Sequence, residues 1–410
     1  MRRAWLLCCA IGLAPAAHAQ QLSFSDAVAQ AAASGPTIDA GSAALSAAQH
    51  ARRAAGRLPD PELVLGLENV PVSGPDRYRL DRDQMTMARV GVMQSMPSAA
   101  VRSAERAAAD ADTERATSEL GVARLTARVG AADAWIRLFF ATRRQAVFNR
   151  LAVEARASAQ AARARLAAGG SGVDDALAAQ IDATRVEDRE SEANAAVAAA
   201  RADLERWIGP EGEEPLSDVP PVFAVDPDML REQLDHHPEL AALGAERANA
   251  AAEIGLARAR THPDWSWEVA YGRRDPSFGD MASVEVRVSL PLFQGDRQRP
   301  LIQARQADLA RAEAERAAAV REHLARLESQ LAEYQALAAN LARARETLLP
   351  LAQRRAAAAA GAHAAGALST TGLIAARAQA LEAEMEVIDL QERIASLGAA
   401  LTLQYGEQAR

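Results

Sequence analysis

Residues 265–271 alternate strictly between apolar and small or polar side chains. Trp265, Trp267, Val269 and Tyr271 share one face of an extended chain, while Ser266, Glu268 and Ala270 share the other; this period of two defines a strand. Val284, Val286, Val288 and Leu290 repeat the pattern against Ser283, Glu285, Arg287 and Ser289. Earlier in the chain, Leu63, Leu65 and Leu67 alternate with Val64, Gly66 and Glu68, and Val90, Val92 and Met96 with Arg89, Gly91 and Ser95. Each run is about ten residues long, the length a tilted strand needs to cross a bilayer. A half-buried soluble hairpin would alternate in the same way. The membrane reading is preferred because charged Glu268, Glu285 and Arg287 oppose purely apolar faces, and because Trp and Tyr stand where interfacial aromatics belong. Leu63, Leu65, Val90, Val92, Trp265, Trp267, Val286 and Val288 are therefore expected to face lipid, and Glu268, Glu285 and Arg287 to line a wet interior. Four strands cannot close a barrel, and an open edge in lipid leaves backbone groups unpaired at several kcal/mol each. Two, three or four copies of the chain would supply about eight, twelve or sixteen strands.

Elsewhere the period changes to seven. Leu327, Tyr334, Leu341 and Leu348 recur with Leu324 and Leu331 interleaved, and Val387, Ile394 and Leu401 recur alongside Leu390 and Leu397. These are coiled-coil seams with alanine-rich flanks, on which neighbouring helices pack closely. A helix from about Pro300 to Gly366 would be on the order of 100 Å long. Gly169-Gly170-Ser171-Gly172 and Gly366-Ala367-Leu368-Ser369 break the two long helical stretches at matching places, as hairpin tips do.

The pattern also occurs twice. Pro36 precedes Pro61 by the same spacing as Pro238 precedes Pro263, and Gly169 precedes Gly209 as Gly366 precedes Gly406. The predicted organisation is a signal peptide over 1–19, a first repeat over 20–209, a linker over 210–227 and a second repeat over 228–410. The first repeat holds a helix, a strand hairpin at about 61–97 and a long helical hairpin with its tip at about 169–175. The second has its hairpin at about 263–293 and its tip at about 366–371. The fold class is mainly α with a small membrane β part.

Composition narrows the function. Arg2 and Arg3, the apolar stretch to Ala17, and Ala17-His18-Ala19 before Gln20 form an export signal, so the chain is expected to leave the cytoplasm. Both cysteines, Cys8 and Cys9, lie within it, leaving no disulfide or thiolate site in the mature chain. Removing the two arginines takes the formal charge from −8 to −10, which argues against a nucleic-acid partner. Every basic residue outside the histidines is arginine, which excludes a phosphate-loop or Schiff-base lysine. No nucleophile elbow or HExxH pair occurs, so neither a catalytic set nor a cofactor is expected.

With these features the chain resembles a TolC-type outer-membrane factor, the exit duct of tripartite efflux and secretion systems. The likeness rests on the duplication, on Pro36 and Pro238 opening each half, and on the turns Val92-Met93-Gln94-Ser95-Met96-Pro97 and Val288-Ser289-Leu290-Pro291-Leu292-Phe293. The segments from Leu58 (LPDPELVLGLENVPVSGPD) and Asp83 (DQMTMARVGVMQ) are similar to the branch serving heavy-metal resistance-nodulation-division pumps, which export cobalt, zinc and cadmium. The resemblance implies a homotrimer in the outer membrane with a periplasmic extension, a barrel of about twelve strands joined to an α-helical barrel, and passive export of divalent heavy-metal cations. It also implies an inner-membrane pump that supplies the energy and a periplasmic adaptor that docks at the tips, Gly169, Gly170, Ser171, Gly366, Leu368 and Ser369. The same fold serving drug efflux or type I secretion is an alternative, as is a soluble periplasmic coiled-coil adaptor.

Three further groups have chemistry to weigh. Asp174 and Asp175 are candidates for a carboxylate ring in a narrow pore, or for a helix N-cap. His236, His237 and His262 are candidates for an imidazole metal site, against the commoner reading of a solvated helix start. Met85, Met87, Met93 and Met96 concentrate in one strand segment as candidates for a thioether ladder that passes soft ions such as Cu⁺, against the favoured reading of simple wall residues.

Overall fold

The structure is a computed structural model that describes residues 21–170 and 172–406. The predicted signal peptide and Ser171 lie outside the described residues. Helices dominate: α1 (Phe24–Ala33), α2 (Pro36–Ala54), α3 (Ala99–Ala167), α4 (Val173–Ile208), α5 (Pro227–Glu232), α6 (Pro238–Ala259), α7 (Gln298–Arg343), α8 (Leu349–Ala364) and α9 (Thr370–Tyr405). The strands are β1 (Glu62–Glu68), β2 (Met87–Met96), β3 (Trp265–Arg273) and β4 (Met281–Val288). Among the described residues no helix is long and apolar enough to cross a membrane.

Two compact units can be told apart. One comprises Met1–Gly35, Arg124–Arg231 and Leu327–Arg410. Its alanine-rich helices leave room for few large side chains, and the aromatics concentrate in one place. Trp135 is wholly buried and donates its indole N–H to the Leu22 carbonyl at 3.1 Å. Phe24 meets it edge-on at 5.7 Å and Phe139 stacks on it at 5.3 Å, geometries that the ring quadrupoles favour. Phe24 sits there because Ser23 caps α1, its hydroxyl accepting from the Asp26 amide at 3.1 Å.

A π-helical turn, Ala344–Leu348, joins α7 to α8, so the expected long helix from about Pro300 to Gly366 is widened there without being ended. The cause is Pro350, which has no N–H to donate and whose ring crowds the preceding turn; the wider π turn relieves both. Leu337 and Ala344 still pack on Val387 and Leu390 of α9. Of the heptad positions, Leu327, Leu331 and Leu401 are buried, whereas Leu324 and Leu348 are exposed.

The other unit comprises Pro36–Ala123 and Glu232–Arg326 and carries the sheet. Its order is β1-β2-β3-β4, antiparallel throughout, so the hairpins of the two repeats are joined by pairing of β2 with β3. Both β1 and β4 are edges.

Candidate functional site

Register decides which side chains share a face. Leu63 stands opposite Val92 and Leu65 opposite Val90; Val90 then faces Tyr271, and Trp265 and Trp267 face Val288 and Val286. All eight residues expected to face lipid therefore lie on one side of the sheet. That side is exposed: Leu63, Leu65 and Val286 retain 66%, 69% and 60% of their surface, an apolar patch that a water-soluble sheet would cover.

The opposite face is charged. Glu268 stands opposite Met93 and Glu285, and Ser266 opposite Arg287. Arg89, not singled out from the sequence, sits between two acids, with Nη1 2.5 Å from Glu68 and Nη2 2.8 Å from Glu268. Arg287 reaches Glu285 at 2.6 Å and Glu268 at 3.5 Å. Glu268 is only 4% exposed, so its two arginines are what compensates a desolvated carboxylate. Gly91 makes the space, since a Cβ there would stand 2.8 Å from Ala270 Cβ and 3.0 Å from a Glu268 carboxylate oxygen. The methionines form no ladder. Met85 precedes the strand, Met87 and Met93 lie on the charged face, and Met96 pairs with Trp265 on the apolar one.

The two tips are built alike. Gly169 N–H donates to Leu166 and Gly170 N–H to the Arg165 carbonyl; Gly366 N–H donates to His363 and Ala367 N–H to the Ala362 carbonyl. Each is a Schellman end, with Gly169 at φ +73° and Gly366 at φ +76°, a conformation that disfavours any Cβ. The next helices start differently. Ser369 caps α9 through the Gly372 amide at 3.2 Å, and Leu368 packs over Gly372, so these two residues have local structural roles. Gly172 caps α4 with no side-chain bond, which corrects the N-cap reading of Asp174 and Asp175: both lie in the first turn, Asp174 exposed and Asp175 half-buried. Further along α4, burial raises the Asp182 carboxyl above its usual range against the opposing charges of Arg185 and Arg377. Asp182 lines a cleft of about 490 Å³ with Arg165, His363 and Arg377.

The three candidate histidines do not meet. His262 lies beyond the far end of α6 from His237, about 33 Å away along a 22-residue helix, and both His236 and His262 are exposed. Instead His237 joins Glu239 and His323, with one donor atom from each lying within 4.8 Å of the others. His237 caps α6, its Nδ1 accepting from the Glu239 amide at 3.2 Å. His323 Nε2 lies 3.0 Å from Glu239 Oε2. The two rings stand 4.2 Å apart and are almost wholly buried. Burial foremost, then the neighbouring His323 ring, pushes the His237 imidazole down to about 4, so it is uncharged at neutral pH. His323 is 86 positions from His237, beyond the reach of any local motif.

Residues 229–407 match the family described as outer membrane efflux protein. The chain is 30% identical over 161 residues to the cobalt-zinc-cadmium resistance protein CzcC of Cupriavidus metallidurans, a stretch spanning 38% of each protein. Its fold is that of solved outer-membrane channels. VceC of Vibrio cholerae superposes with a TM-score of 0.77 at 19% identity, covering 93% of this chain and 96% of that one. The Campylobacter jejuni channel CmeC does so at 0.80 and 11%, covering 93% and 85%. CusC, solved in work on transmembrane channel formation, gives 0.71 at 14%, covering 93% and 92%. Residues 229–407 are thus similar to the outer membrane efflux protein family, and over most of its length the chain has the fold of these outer-membrane channels.

Proposed function

We propose that the chain is the passive exit duct of a tripartite efflux system. Three copies close a barrel of about twelve strands, and divalent heavy-metal cations leave through it, delivered by an inner-membrane pump and a periplasmic adaptor that docks at the tips. The observation that carries the reading is the sheet: one face exposed and apolar, the other charged, and two edges unpaired among the described residues. In lipid such edges require partners, and a copy of the same chain supplies them. The similarity to a cobalt-zinc-cadmium resistance protein supports the choice of cargo. Asp174 and Asp175, in the first turn of α4, supply carboxylates that would draw cations into a narrow pore.

The test is deletion of this gene in its own host and re-supply from a plasmid. Growth in graded cobalt, zinc and cadmium should fall on deletion and recover on re-supply, with drug sensitivity unmoved. Recovery of drug resistance without metal resistance would replace the metal reading with a drug duct. Recovery of the protein in the soluble periplasm would sink the channel reading itself.

A further inference from the structure

We infer that His237, Glu239 and His323 form a binding site for a divalent transition-metal ion of borderline softness such as Zn²⁺. The donor set is two imidazole nitrogens and one carboxylate oxygen, with one atom from each residue within 4.8 Å of the others. Sulfur, which Cu⁺ prefers, is absent from the set, and the all-oxygen shell of Ca²⁺ or Mg²⁺ is not offered. Three protein ligands leave a fourth tetrahedral position for water or an incoming ligand.

Helix capping does not account for the arrangement. His237 caps α6, but Ser, Thr, Asp and Asn serve that role best, and capping gives no reason for His323. The two rings are 4% and 2% exposed and 4.2 Å apart. Placing two large polar rings together in the interior costs solvation that small apolar residues would not lose. Shared ligation explains why both are present. The Glu239 side chain is 54% exposed, which opens one side of the site to ions from solvent.

Loading would rearrange the site in a defined way. Donors bound at about 2.0–2.1 Å to one tetrahedral ion stand about 3.4 Å apart, so the group must draw together, and exposed Glu239 has the room to move. A neutral ring that binds metal through one nitrogen keeps its proton on the other. The contact between His237 Nδ1 and the Glu239 amide, 3.2 Å long, would therefore be exchanged for ligation, as would the Glu239–His323 hydrogen bond. The inference does not rest on the proposed cargo: such a site would bind zinc in a duct for drugs as well.

The test uses the assembled full-length protein in detergent, stripped with chelator and titrated with Zn²⁺ alone by calorimetry. Co²⁺ serves as a spectroscopic probe through its visible ligand-field bands. One ion per chain is expected, with a thermal midpoint that rises with Zn²⁺. His323→Ala should weaken binding at least tenfold, as should Glu239→Gln, which alters an exposed side chain and leaves the packing intact. His236→Ala, next door but exposed, should bind like the parent. Absence of stoichiometric binding by the parent would overturn the inference, as would affinity retained in both His323→Ala and Glu239→Gln. Resistance of the host to metals enters none of these readouts, so this test and that of the exported cargo fail separately.

Discussion

Arg89 is the residue on which the charged face turns. It lies between Glu68 and Glu268, and Glu268 is almost wholly buried, so losing Arg89 leaves Arg287, at 3.5 Å, as the remaining close cation for that carboxylate. Arg287 is exposed, and its closer partner is the exposed Glu285, a pair of the kind that contributes little. Arg89→Leu should therefore lower the temperature at which the assembled protein dissociates on a denaturing gel by more than Arg287→Leu does. Equal effects would mean that water in the assembled protein compensates Glu268 without Arg89. The phase of β2 put Arg89 on the polar face from sequence alone, beside Gly91 and Ser95. Its role was not legible, because that depends on which residue of β3 stands opposite, and pairing between the two repeats has no local signal. The same limit applies to His237: a cap before Pro238 can be read locally, but a partner on another helix cannot.

At the scale of elements, strands and helices were legible to different degrees. Period-two alternation over Trp265–Tyr271 and Val284–Val288 fixed the phase of each strand, because a slip of one residue would have exposed its charges on the apolar side. The π turn at Ala344–Leu348 follows from Pro350, which a heptad count passes over. Strand phase can be tested directly. Val286→Arg places a charge on the apolar face and should cost about 2 to 4 kcal/mol near the bilayer midplane, read as lost outer-membrane insertion of the folded form. The matching change on the other face must be chosen with care. By its phase Ser289 is on the polar side, yet its hydroxyl accepts from the Asp264 amide at 2.9 Å and donates to the Asp264 carbonyl at 3.1 Å, closing the start of β3. Ser283, opposite Ala270 on the charged face, has no such duty, and Ser283→Arg should insert normally. Equal loss at Val286 and Ser283 would remove the lipid assignment of the apolar face.

For the whole molecule, duplication means that one chain brings two helical hairpins to whatever assembly it joins, and that any ring of three contains two kinds of tip in alternation. The tips share their Schellman turns but not their charge: α4 opens on Val173-Asp174-Asp175, and α9 on Thr370-Thr371-Gly372. Three copies would therefore present about six carboxylates, all from the first-repeat tip, and a ring of that kind favours cations within roughly a Debye length of 8–10 Å. In planar bilayers under a KCl gradient, the double change Asp174→Asn and Asp175→Asn should move the reversal potential toward that of an unselective pore. Neutralising these acids also removes a favourable interaction with the N-terminus of α4, worth typically 0.3–1 kcal/mol each, so a change in current alone would be open to a structural explanation. Adding charge at the other tip separates the two. Thr371→Asp in the doubly neutralised background leaves α4 as it is, yet restores acids to the ring from α9. Recovery of cation selectivity there would show that the charge at the tips sets selectivity, whichever helix carries it; a reversal potential unmoved by either change would place the selective constriction elsewhere, with the charged face of the sheet the next place to look.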